Sequence, residues 1–403
     1  MTSRVRSLGG GLVAALASSA ALLLSSPAVA RPGESSMYYA DLAAWAQFRY
    51  EMSLSASPEG ATEPKPTENF IQRDFAAAKS RFDAAWGALP QTPLASGPAL
   101  SSGSTGPRVA SLRTRLGLPA DGGFDAALAE RISAFRRAHD LPAGVSADDA
   151  VIAALNRGHA YYSGIIEQNL RRAAELPVMP GKRFVLVDTA EQRLYLYEGE
   201  RQVDTMKVIV GKASDKTPLM AGFISYAEIN PYWNVPEDLV RDRYAARIIA
   251  GGRNYLDTRG FTVMEGHDEN ERVVPYSEID WRAVQAGRRA VWLRQDPGPG
   301  NGMGRVKFMF PNRFGVYLHD TPSVALFDQD TRLESAGCVR VERPWDLARW
   351  LYGREMGWQG RPNNQRVDLP EPVPVYLAYF TAMPKPEGFD FRQDVYAKDR
   401  AGI

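Results

Sequence analysis

VYLHDTPSVALFDQDTRLESAGCVRVERPWDLARWL, residues 316–351, reads as a strand closing on His319, a polar loop, a Ser-Ala-Gly-Cys turn at 335–338, a short β-branched run and a helix. The helix places Trp345, Ala348, Leu351 and Tyr352 on one face, with Gly353 as an early stop. Cys338 is the only cysteine in the 403 residues. What one thiol can do depends on the compartment it occupies.

The N-terminus supplies that compartment. Arg4 and Arg6 precede an apolar stretch from about Leu8 to Leu24, and Ala28-Val29-Ala30 follows as a small-residue cleavage site. This three-part pattern predicts a signal peptide over 1–30 and an exported, periplasmic protein. No later segment is apolar for long enough to predict a membrane span in the mature chain. A net charge of +1 gives no support to nucleic-acid binding. In an oxidising compartment a lone cysteine is an intermolecular bridge, an inert buried thiol or a reactive nucleophile.

Periodicity divides the remainder. Phe70, Phe75, Phe82 and Trp86 recur at helical spacing within a helical region over 36–90, followed by a flexible linker over 90–107. Three helices are expected over 107–157. Their inner faces are Val109, Leu112 and Leu116, then Leu128, Ile132 and Phe135, then Val151, Ile152 and Leu155. From about Lys182 the pattern becomes short β-branched and aromatic runs: RFVLVD, QRLYLYEG, TMKVIVG, GFISYAEINPYWNVP, RVKFMFPN and FGVYLHD. The more polar stretch 241–303 between them is expected to be an inserted subdomain or lid.

A cysteine nucleophile needs a base or a partner for its thiolate. The chain has four histidines. His139 and His159 are expected at exposed positions of the helical unit, and His267 in a solvated charged loop. His319 lies in the same β region as Cys338, at a strand end. Gly337 leaves backbone N–H groups unobstructed for a developing oxyanion, or is an ordinary loop glycine.

The 316–351 segment resembles the active-site segment of the L,D-transpeptidases, which cross-link or otherwise remodel peptidoglycan. INPYWNVP and GKASDKTPLMAGFI are similar to strands of that family. NGMGRVKFMFPN followed by VYLHDTP is similar to its larger periplasmic members, and residues 107–157 resemble a peptidoglycan-binding domain. The resemblance implies a multidomain α+β protein: a mainly-β catalytic domain over 161–385 with a lid at about 241–303, and a three-helix peptidoglycan-binding domain over 101–160. A helical scaffold and linker would occupy 31–100, and a C-terminal tail 386–403.

It also implies roles. Cys338 would be the nucleophile and His319 the base, with the Asp320 backbone orienting the imidazole while its side chain forms a turn. The Gly337 and Cys338 N–H groups would bind the oxyanion, beside Ser335. Arg340 would hold a substrate carboxylate or sit in an outward salt bridge. Tyr317, Trp233 and Asn230 would be cleft, core or corner residues. No metal or cofactor is implied. The implied partners are peptidoglycan stem peptides and glycan, with other cell-wall proteins as candidates. The family's common Ser-His-Gly-Cys reads Ser335-Ala336-Gly337-Cys338 here.

Overall fold

The structure is a computed structural model that describes residues 67–178, 181–266 and 271–399. The segment 1–30, the stretch before residue 67 that is expected to be helical, and His267 lie outside the described residues.

Among the described residues five helices come first: α1 (Phe70–Gly87), α2 (Pro107–Arg115), α3 (Ala126–Ala138), α4 (Asp149–Asn156) and α5 (Gly158–Ala174). Helices α2, α3 and α4 enclose one small core of Val109, Leu112, Leu128, Ile132, Val151 and Leu155. Two of their starts use the same device. Asp125 and Asp148 accept the N–H groups of Leu128 and Val151 as N-caps, and each also takes an ion pair from a buried arginine, Arg113 or Arg136. Helix α5 begins inside the range expected for this unit yet packs against α1. Asn69 joins the two: it caps α1 through Gln72 and donates to the Ala173 and Leu176 carbonyls at the end of α5.

The strands are β1 (Arg183–Asp188), β2 (Arg193–Glu198), β3 (Arg201–Gly211), β4 (Met220–Ile229), β5 (Trp233–Val235), β6 (Phe261–Glu265), β7 (Arg272–Val273), β8 (Trp292–Gln295), β9 (Val306–Met309), β10 (Leu318–His319), β11 (Leu333–Ser335), β12 (Val339–Val341), β13 (Gln365–Ala378), β14 (Ala382–Lys385) and β15 (Gly388–Phe391). The main sheet runs β11-β3-β12-β10-β9-β4-β13-β1-β2 and closes because β2 also pairs with β3. β3 makes the closure: up to Lys207 it pairs with β2, and Val208 and Ile209 pair with β12.

The closed sheet explains why RFVLVD is apolar without alternation. Val185 and Val187 point into the barrel, and Phe184 and Leu186 point outward under α1 and α5. Both faces are buried, so both periods are hydrophobic. Helix α8 (Pro344–Tyr352) starts on a proline and ends on Gly353 in the left-handed conformation, after α6 (Ala245–Asp257) and α7 (Trp281–Gln285).

Three expectations need correction. The subdomain expected over 241–303 begins earlier, because β5 pairs with β8 in a separate sheet ordered β5-β8-β6-β7. That sheet, α6 and α7 share their own core, including Val235, Ile248, Leu256, Val263 and Leu293. The region 386–403 is not a tail as far as it is described. β15 pairs with β14, and Tyr396 is fully buried and stacked on Tyr379 with centroids 5.4 Å apart.

The first two histidines are not simply solvated. His159 bonds Asp83 at 2.9 Å. The His139 ring lies against Phe135, Tyr162 and Phe391, where α3, α5 and the β14–β15 hairpin meet. Its Nδ1 donates to the Phe135 carbonyl, and its Nε2 is buried with no partner. Burial pushes its pKa down to about 4.

The unfolded chain protonates His139 near its ordinary pKa of about 6.5, and the folded one only near 4. Its contribution is therefore complete above pH 6.5 and is lost as pH falls through that window. In His139→Phe the thermal midpoint should fall less between pH 7.5 and pH 5 than in the wild type. An unchanged pH slope would place that titration elsewhere.

Candidate active site

β10 and β12 lie side by side and parallel, pairing Leu318 with Val339 and His319 with Arg340. Leu318 and Val339 are fully buried in the barrel core. Side chains alternate along a strand, so their neighbours must point the other way. Tyr317, His319, Cys338 and Arg340 consequently share the outer face, and all four line one cleft of about 730 Å³. Residues 21 positions apart in the chain, Leu318 and Val339, thus come within one strand spacing.

The opposite wall comes from the β5–β8 subdomain through Trp233, Arg243, Tyr244, Arg247, Tyr255 and Arg259. Four arginines, counting Arg340, and the two carboxylates Asp215 and Asp238 line this cleft. Asp215 is already ion-paired to Arg243 at 3.1 Å. Arg340 has no hydrogen-bond or ion-pair partner among the described residues, and burial lowers its pKa. The neighbouring Lys307 is neutralised by Glu228 at 2.8 Å. The cleft therefore carries excess positive charge, suited to a ligand bearing carboxylates.

His319 is 2% exposed. Its Nδ1 lies 2.5 Å from the Asp320 carbonyl. A carbonyl only accepts, so Nδ1 carries the proton and Nε2 is left as the basic nitrogen. Burial, the Arg340 charge and the more distant Lys307 push the His319 pKa down to about 3, against the pull of the Asp320 and Met303 carbonyls. The Asp320 side chain forms the turn, accepting from the Arg305 and Thr321 N–H groups.

Cys338 is half-buried. Its Sγ lies 3.8 Å from the Gly315 carbonyl and also contacts the Tyr317 hydroxyl. Burial raises the thiol pKa, while Tyr317, Arg340 and Lys307 act the other way without overcoming it. A reactive cysteine read from sequence is expected to have a low pKa, but here the thiol and the imidazole that line the same cleft are both held neutral. The proton must move when substrate arrives.

Trp233, Ser335 and Ala336 also line the cleft. Of the remaining candidates, one takes the corner place among its expected roles and one does not serve as expected. Asn230 is a corner residue outside the cleft: its φ is 47°, and its amide donates to the Trp358 and Arg361 carbonyls. The Gly337 N–H is occupied by the Ser335 hydroxyl at 3.1 Å, so it is no oxyanion donor. Ser335 in turn donates to the Cys338 carbonyl at 2.6 Å, and so clamps the turn from within. The Cys338 N–H has no partner among the described residues.

Sequence reasoning missed Gly315, the subdomain arginines and Thr217. Thr217 sits in the GKASDKTPLMAGFI run and donates to the Gly337 carbonyl at 2.8 Å, 120 residues away. A threonine before a proline was the only signal.

A cysteine and a histidine brought together on a closed barrel, above a cationic cleft, coincide with a family match. Residues 182–375 match the YkuD family, the L,D-transpeptidase catalytic domain. The likeness to the L,D-transpeptidases is thus that of this segment, just under half of the 403 residues. A curated Haemophilus influenzae protein named "Putative L,D-transpeptidase" is 30% identical over 247 residues, 59% of this chain and 49% of that protein. The match thus spans about half of that relative's length.

Among solved structures, an L,D-transpeptidase from Mycobacterium smegmatis is 12% identical, covering 49% of this chain and 58% of its own, with a TM-score of 0.25. An L,D-transpeptidase from Xylanimonas cellulosilytica is 18% identical, covering 70% and 99%, with a TM-score of 0.24. With TM-scores this low, neither adds to what the family match shows. Among the described residues no helix is long and apolar enough to cross a membrane, and no group of His, Cys, Asp and Glu could hold a metal ion.

Since Cys338 is the sole thiol, iodoacetamide labelling reports on it alone. The labelling rate of the protein should keep rising through pH 9 instead of levelling off near pH 6. His319→Ala should change it by less than about threefold at pH 7, because the resting imidazole is uncharged. A plateau below pH 7 that vanishes in His319→Ala would show a preformed thiolate–imidazolium pair instead.

Proposed function

We propose that the protein is a cysteine-dependent L,D-transpeptidase that forms 3→3 peptidoglycan cross-links. The observation carrying this reading is the shared face of Cys338 and His319 above the cleft, within a segment of the matching family. The donor is a tetrapeptide stem. His319 Nε2 takes the thiol proton as Sγ attacks the carbonyl of the third residue, a diamino acid at its L-centre. The tetrahedral oxyanion forms beside the Cys338 N–H. Collapse returns the proton to the leaving D-alanine amine and leaves a thioester on Cys338. The amine of a second stem then attacks the thioester, His319 accepts its proton, and the new amide leaves with the thiol restored.

Neutral resting partners suit this sequence. No charge is buried before substrate arrives, and the imidazolium forms only as the thiolate is consumed. Arg340 holds a donor carboxylate, as its lack of a protein partner supports. The β5–β8 subdomain acts as the lid that keeps water from the thioester. Helices α2 to α4 hold the enzyme on the polymer, raising its effective concentration. The signal segment delivers it to the periplasm.

The same thioester given to water makes an L,D-carboxypeptidase, and given to a lipoprotein lysine an attachment enzyme. A non-catalytic wall-binding protein, with Ala336 marking a degenerate site, is the reading of another class. The placement of His319 argues against that last one: it is positioned by its own hydrogen bond, independently of residue 336.

Mass spectrometry after incubation with a disaccharide-tetrapeptide decides among them. A dimer lacking one D-alanine, absent with Cys338→Ala, is the expected result. Tripeptide monomer alone would indicate the carboxypeptidase, and unchanged substrate the wall-binding protein. Arg340→Gln should lower kcat/KM for the tetrapeptide by roughly 10- to 100-fold, as loss of a charged hydrogen bond of about 1.5–3 kcal/mol implies.

A further inference from the structure

Next to the nucleophile turn lies a closed ring of buried hydrogen bonds that the reaction scheme does not use. Thr217 is fully buried. Its hydroxyl accepts from the Gly211 N–H at 2.9 Å and donates to the Gly337 carbonyl at 2.8 Å. Its own N–H donates to the Tyr396 hydroxyl at 3.4 Å, and that hydroxyl donates to the Gly211 carbonyl at 2.6 Å. Tyr396 comes from the C-terminal segment and is itself held. Its N–H donates to the Tyr379 hydroxyl at 2.9 Å, and Tyr379 donates to Asp394 at 2.6 Å. Gly211 permits the approach: a Cβ there would meet the Asp215 carbonyl at 2.0 Å.

The consequence follows from peptide geometry. The Gly337 carbonyl and the Cys338 N–H belong to one peptide unit, and no peptide bond among the described residues is cis. In a trans unit the two groups point in opposite directions. Thr217 draws the carbonyl toward the buried interior, so the N–H is turned toward the cleft that Cys338 lines. The turn needs such restraint, because Gly337 has a φ of 109° and can rotate more freely than other residues. Ser335 holds the Gly337 N–H and the Cys338 carbonyl, the groups on either side of this unit. Only the Cys338 N–H is left over.

We propose that Thr217 is the positioning residue of the oxyanion site, with Tyr396 as its brace: together they aim the Cys338 N–H at the tetrahedral intermediate. This rests on Cys338 being an acyl-transfer nucleophile. It adds a loop and a C-terminal residue whose effect should be confined to reactions that pass through an oxyanion.

Two chemistries at the same sulfur test it. Acylation by a p-nitrophenyl ester forms an oxyanion, whereas alkylation by iodoacetamide does not. The ester carries no stem peptide, so failure of the tetrapeptide reading would not obscure the comparison. In Thr217→Val, burst-phase acylation should fall about 100-fold, the scale of losing one oxyanion donor. Alkylation should stay within about twofold. Thr217→Ser should restore most of the acylation, and Tyr396→Phe should lower it about 3- to 10-fold at unchanged alkylation. Acylation unaffected in Thr217→Val would overturn the proposal. So would acylation and alkylation falling together in both Thr217→Val and Tyr396→Phe, because the ring would then support the turn as a whole without aiming one group.

Discussion

The parallel pairing of β10 with β12 is the constraint on which the site depends. It is only two residues long, yet its register decides which side chains leave the core together. With Leu318 and Val339 buried inside the barrel, Tyr317, His319, Cys338 and Arg340 are forced outward as a group. A slip of one residue would send the cysteine and the histidine into the core and leucine and valine into the cleft. Burying those two aliphatic side chains is worth about 1.5–3 kcal/mol each, which makes the register expensive to change. The same barrel packing that stabilises the domain thus fixes the geometry of its chemistry.

The groups on the face so created are buried and lie among positive charges, and both properties shape their titration. Burial pushes the His319 pKa down and the Cys338 pKa up, so each group is held neutral. The Asp320 carbonyl leaves Nε2 as the available base through one hydrogen bond to Nδ1. Nearby cations favour a thiolate or an oxyanion without creating either in advance. A site of this kind stays inert until an acyl group and its carboxylates enter, which is a useful property for the sole thiol of a protein.

Remote segments complete the site. The loop 212–217 reaches the subdomain wall through Asp215 and Arg243, the nucleophile turn through Thr217 and Gly337, and the C-terminal segment through Tyr396. Lys216 also donates to the Tyr396 carbonyl at 2.5 Å. Helices α1 and α5 cover the far side of the barrel at β1, β2 and β13, away from the cleft. The two sides serve different ends: one is sealed by aromatic packing, and the other is left open to a ligand.

Much of this was legible in the sequence because it is local. The helical period around Phe75 and Val109, the strand runs, the Gly353 stop and the isolation of Cys338 are properties of neighbouring residues, which short-range sterics and hydrophobic spacing determine. The motif around Cys338 and His319 was readable for the same reason. What tertiary structure alone decided is non-local. Asn230 took the corner among its open places, the Gly337 N–H was taken by Ser335, and Tyr396 entered the core although its segment is expected to be a tail. Burial raised a thiol pKa that the reactive-cysteine pattern predicts to be low. Each outcome depends on partners distant in the chain, and on a dielectric environment that exists only once the barrel has closed.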